Sequence, residues 1–94
     1  MNDVNDTGAT RLQLPASATL ADTASLWLAL DGGADVIDAS ALRSFDTSAI
    51  ALLLEARRRA EARGAGFIVR GAPPKLVELA RLYGVDELLS LQTT

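Results

Sequence analysis

Three adjacent residues with reactive or hydrogen-bonding side chains, Asp46, Thr47 and Ser48, stand directly before six apolar residues, Ala49 to Leu54. Glu55 and three consecutive arginines, Arg57 to Arg59, come next. One chemistry open to the tripeptide is local. Asp, Thr and Ser side chains accept hydrogen bonds from the unpaired N–H groups of a helix's first turn, so Thr47 or Ser48 is expected to cap a helix. That accounts for one polar residue directly and for three in a row less well. The second chemistry is recognition. A helix N-terminus favours anions, so it tolerates a phosphate on Thr47 or Ser48, and exposed hydroxyls beside an apolar surface can face a partner.

The other candidates are weaker. The chain has no cysteine and no histidine, which removes disulfides, thiolate zinc sites, cysteine nucleophiles and the usual near-neutral general base. Asp38 and Asp46 do not read as a catalytic carboxylate pair, because no His or Lys stands near them in sequence. Asp31-Gly32-Gly33 lacks the lysine and the length of a phosphate-binding loop and reads as a turn. No cofactor, no metal site and no enzymatic activity are expected. The arginines read as a solvated face, with Arg58 and Arg59 pairing with Glu55 at i+3 and i+4. Arg57 falls inside the apolar arc and is the arginine expected to touch a partner. Trp27 and Tyr83 are expected to pack against neighbours.

Positioning these residues requires a helix from Ser48 to Arg63, a stretch without Gly or Pro and rich in Ala, Leu, Glu and Arg. At about 100° per residue, its apolar residues, Leu52, Ala56, Ala49, Ala60, Leu53, Ile50 and Leu54, cover roughly 200° of the helix. A helix lying on a sheet needs about 100° or somewhat more. Either this helix is covered on two sides within the domain, or part of it awaits a partner. Leu53 and Ala56 should face the sheet.

Around that helix, strands are expected at Thr10 to Leu14, Val36 to Ser40 and Phe67 to Gly71. Helices are expected along the stripe Leu20, Thr23, Ala24, Trp27, Leu28 and Leu30, and from Pro74 to a left-handed Gly84 cap. Asp31 to Asp35 is a turn, and Asp86 to Leu91 a final turn or short edge element. The alternation of strand and helix predicts an α/β fold. With 94 residues, there is room for one domain, assigned to residues 10–91, after a flexible tail or weak edge strand over residues 1–9. A net charge of −3 argues against a nucleic-acid surface. The longest apolar run is far short of a membrane span, and the N-terminus has no basic or apolar signal region, so a cytoplasmic location without membrane insertion is expected.

The stretch from Val36 to Leu89 resembles the STAS domain, the fold of anti-anti-sigma factors. A strand ends in Asp38-x-Ser40, and Phe45-Asp46-Thr47-Ser48 opens a long helix. A strand, a Pro-bearing turn and a helix ending in Gly84 follow. Within the family, "DTSAIALLL", "LARLYGVDELL" and the placement of "SLW" are similar to the MlaB-type subunits of phospholipid ABC transporters. Ser48 and Ala49 replace two glycines of that subgroup, and "PASATL" stands where Gly-Glu-Leu-Asp is usual. The resemblance implies a mixed sheet with helices mainly on one face. It implies a non-enzymatic subunit bound to the transporter's cytoplasmic ATPase, in complex with permease and substrate-binding subunits. Partner contacts would fall on Asp46, Thr47, Ser48, Ile50, Leu54 and Arg57, with Thr47 touching the ATPase. The alternative it implies is a phospho-switch, in which an anti-sigma kinase modifies Ser48, the position matching the phosphorylated residue of anti-anti-sigma factors, or Thr47.

Overall fold

A computed structural model describes residues 11–29 and 35–93. The tail or weak strand expected over residues 1–9, Leu30, and the turn expected at Asp31 to Asp35, apart from Asp35 itself, lie outside the described residues. The elements in chain order are β1 (Arg11–Gln13), β2 (Ser17–Ala18), a 3-10 turn (Leu20–Asp22), α1 (Thr23–Ala29), β3 (Val36–Asp38) and β4 (Ser44–Phe45). Then come α2 (Thr47–Ala62), β5 (Ile68–Ala72), α3 (Pro74–Leu82) and β6 (Leu91–Thr93).

Among the described residues, β1, β3, β5 and β6 form one sheet in that spatial order, and β2 pairs with β4 in a short ladder. Every described pairing is parallel, where a mixed sheet was expected. The reason is connectivity: a helix lies between each strand of the main sheet and the next, and parallel neighbours require such crossovers. Each crossover steps in the same direction. Right-handed connections then lay α1, α2 and α3 against one face. Registers Leu12–Ile37–Val69 and Gln13–Asp38–Arg70 put apolar and polar residues in alternate rows.

The core lies between that face and the helices. Leu14, Ile37, Leu52, Leu53, Val69, Leu76 and Leu89 are each less than 2% exposed. Leu53 and Ala56 face inward as the helical periodicity predicts. The stripe expected on α1 is shifted. Leu26 is buried and Trp27 half-buried, while Leu20 and Leu28 are exposed. The tighter turn at Leu20–Asp22, with about three residues per turn, resets the helical phase.

Both long helices end on glycine. Gly64 and Gly84 have φ of 74° and 71°. The amides of Ala65 and Gly64 donate to the carbonyls of Ala60 and Glu61, each at 2.9 Å. Those of Val85 and Gly84 donate to Ala80 and Arg81, also each at 2.9 Å. This double bond pattern is a Schellman cap, which satisfies carbonyls the helix leaves open. Pro74 occupies the first turn of α3, where no N–H is required.

Candidate functional site

The β2–β4 ladder builds the start of α2. The amides of Arg43 and Ser44 both donate to the Ala16 carbonyl, at 2.8 and 2.9 Å. This brings the segment entering β2 alongside the segment entering β4, just before α2. Asp46, not Thr47 or Ser48, caps the helix, and its Oδ1 accepts from the Ser48 amide at 2.9 Å. Thr47 is already helical, so its side chain points out instead of back over the first turn. Oδ2 of Asp46 accepts from the Leu20 amide at 3.1 Å. The Leu20 and Ser48 amides, in that order, hold the Asp46 carboxyl below its ordinary pKa.

The neighbouring turn is fixed in the same way. Oδ2 of Asp22 accepts from the Ser17 hydroxyl at 2.6 Å, and from the Thr19 amide and hydroxyl at 2.9 Å each. The Ser17 bond is the largest of the causes that lower the pKa of Asp22.

From this start a groove of about 290 Å³ runs along α2, lined by Thr47, Ile50, Ala51, Leu54, Tyr83 and Val85. The residues of α2 follow the i, i+3, i+4, i+7 spacing of one helix face. Ile50, 5% exposed, is its floor. The structure therefore brings Thr47, Ile50 and Leu54 together in one groove. Ser48 is half-buried and lies outside this lining, while Arg57 lines a second groove and pairs with Glu61 at 2.8 Å.

Sequence reasoning missed Ala51, Tyr83 and Val85. Ala51 is the i+4 neighbour of Thr47 and could have been found by periodicity. Tyr83 was expected to pack against neighbours. It is instead 54% exposed at the end of α3, where the chain turns away from the core.

The arginine run is tied to its own helix. Arg58 donates to Glu55 through Nε and Nη2 at 2.9 and 2.5 Å, and Arg59 Nε donates to it at 2.8 Å. These bonds, Arg58's first, pull the Glu55 pKa from 4.5 down to about 2. The Arg59 guanidinium also lies 5.8 Å from the centre of the Trp27 ring. Beyond the helix end, Arg63 forms an ion pair with buried Asp35, which sequence reasoning did not foresee.

This geometry offers a hydroxyl at the mouth of an apolar groove, positioned by a rigidly bonded helix start. The two aspartates of the sequence pattern serve the backbone: Asp38 accepts from the Ser40 amide at 2.9 Å, and Asp46 holds the Leu20 and Ser48 amides. Among the described residues, no three His, Cys, Asp or Glu side chains gather as metal ligands, and no helix is long and apolar enough to cross a membrane.

The family model described as "Mlab, STAS domain" matches residues 4–91. The chain belongs to the MlaB-type STAS domain family. The match takes in both grooves and every described element except the last residues of β6. STAS domains are generally non-catalytic. A comparison with curated proteins returns no match. In this STAS domain, the Asp38-x-Ser40 part of the sequence pattern closes the loop after β3, and Gly71 of β5 lies against it. A Cβ at Gly71 would come within 2.8 Å of the Ser40 Cβ.

Proposed function

We propose that this chain is a non-enzymatic accessory subunit that binds and supports the cytoplasmic ATPase of an inner-membrane ABC transporter for phospholipid trafficking. It would work in complex with permease and substrate-binding subunits, and would sit at the membrane only through them. The observation that carries the reading is the groove of Thr47, Ile50, Ala51, Leu54, Tyr83 and Val85. Among the described residues its lining is apolar apart from the Thr47 and Tyr83 hydroxyls, and Tyr83 is an exposed aromatic of the kind enriched at interface centres. Family membership supports an accessory role.

The placement of the two hydroxyls favours a standing interface over a phospho-switch at Ser48. Thr47 is exposed and lines the groove, whereas Ser48 is half-buried and lies outside its lining.

The test is binding of the purified transporter ATPase to variants of this chain. Thr47→Ala should weaken binding, Thr47→Arg should abolish it, and Ser48→Ala should change it little. Undiminished binding by Thr47→Arg would overturn the proposal. Capture of an anti-sigma kinase by the wild type, lost in Ser48→Asp, would favour the switch.

A further inference from the structure

The groove over Thr47 shares the turn after α3 with a second groove. Tyr83 and Val85 line the first, and Gly84 lines the second together with Arg57, Glu61, Phe67, Glu87 and Leu88. The second is larger, about 400 Å³. On α2, the wall passes from Leu54 to Arg57, residues one turn apart. At Gly84 no side chain stands at this shared turn, and a Cβ there would meet nothing within 4 Å.

The charges differ. Among the described residues, none that lines the first groove is charged. In the second, Arg57 is engaged with Glu61 at 2.8 Å, so these two charges offset each other. Glu87 is exposed and forms no ion pair among the described residues. It stands beside Leu88, which is 45% exposed, and half-buried Phe67. An anion next to exposed apolar surface suits a long cationic side chain, whose methylene stem lies on the apolar atoms while its head meets the carboxylate.

We infer that one partner segment spans both grooves, setting an apolar side chain beside Thr47 and a lysine or arginine against Glu87. This rests on the reading of the first groove as the ATPase interface. It adds a second anchor and fixes the direction in which the partner crosses α2 and the Gly84 turn.

The experiment measures association and dissociation of the full chain with the purified ATPase at low and high salt. The variants are Glu87→Lys, Glu87→Gln and Thr47→Arg, with circular dichroism confirming that each is folded. Glu87→Gln should lower affinity a few-fold and flatten the salt dependence, as loss of one exposed pair does. Glu87→Lys should lower it about tenfold or more, through slower association and repulsion. If Glu87→Lys binds like wild type while Thr47→Arg does not bind, the first groove stands and the extension is overturned. If Thr47→Arg also binds like wild type, the ATPase reading falls and this inference falls with it.

Discussion

The Leu20 amide donates to the Asp46 carboxylate at 3.1 Å although 26 residues separate them. The other oxygen of that carboxylate caps α2 through Ser48 at 2.9 Å. One side chain therefore sets the direction of the long helix and pins the segment that enters α1. Thr47, the next residue, inherits its position from both bonds.

Removing the carboxylate should loosen both attachments. Asp46→Ala is expected to lower Tm by about 4–8 °C, the shift expected when a domain of this size loses one good cap. Asp46→Asn keeps a capping oxygen and should fall between the two. Thermal unfolding followed by circular dichroism measures this. A Tm for Asp46→Ala equal to wild type would show that the cap contributes nothing.

If the groove is the proposed ATPase interface, exposure alone should not predict which apolar residues matter for binding. Tyr83 is 54% exposed and lines the first groove, while Leu82 is 78% exposed and lines neither. Tyr83→Ala should weaken ATPase binding by about tenfold or more, in the range of an aromatic anchor. Leu82→Ala should leave it nearly unchanged. Isothermal titration of the two variants decides, and the reverse order would move the interface away from the groove.

The helix with its mouth at Thr47 was legible in the sequence because its signals are local. Periodicity marks Leu53 and Ala56 as inward, composition marks a long helix, and Glu55 finds Arg58 and Arg59 within one turn. Gly84 announces the end of α3 by needing a positive φ. What could not be read depends on contacts between distant segments. The pairing of Ser17–Ala18 with Ser44–Phe45 carries no pattern of its own, so the bond from Leu20 to Asp46 stayed hidden. The same holds for Tyr83, whose place in the groove comes from where α3 meets α2, and for the ion pair of Arg63 with Asp35. The choice of Asp46 over Thr47 or Ser48 as the cap depends on where the extended backbone ends, a boundary that three good capping residues in a row leave ambiguous.

Acid should weaken α2 in a defined window. The folded-state pKa of Glu55 is lowered to about 2 from 4.5 by its bonds to Arg58 and Arg59. A lowered carboxyl pKa means that its stabilisation is complete above the unfolded value. It is lost as pH falls through about 4.5 towards about 2. The stability difference between wild type and Glu55→Gln should be constant above pH 5 and shrink across this window. Urea titrations at a series of pH values test it, and a carboxyl carbon resonance of Glu55 titrating near 4.5 would contradict the bonding.

The glycines are not equivalent. At Gly71, φ is 67° and a Cβ would lie 2.8 Å from the Ser40 Cβ and 3.1 Å from the Ser40 Cα. At Gly84, φ is 71° but a Cβ would meet nothing. Gly84→Ala should cost about 1–2 kcal/mol, the left-handed backbone penalty alone. Gly71→Ala adds a backbone clash and should cost more, about 3 kcal/mol or above. Equal costs in denaturant unfolding would mean that the loop after β3 gives way freely.

Trp27 is the only tryptophan in the chain. It sits half-buried on α1 with the Arg59 guanidinium of α2 5.8 Å from its ring centre. The seam between these helices thus carries its own optical label. Indole fluorescence reports whether α1 remains seated on α2, and among the described residues none of α1 lines either groove. Unfolding can be followed without an attached dye. A groove variant that leaves the seam undisturbed will declare itself by an emission spectrum that does not move.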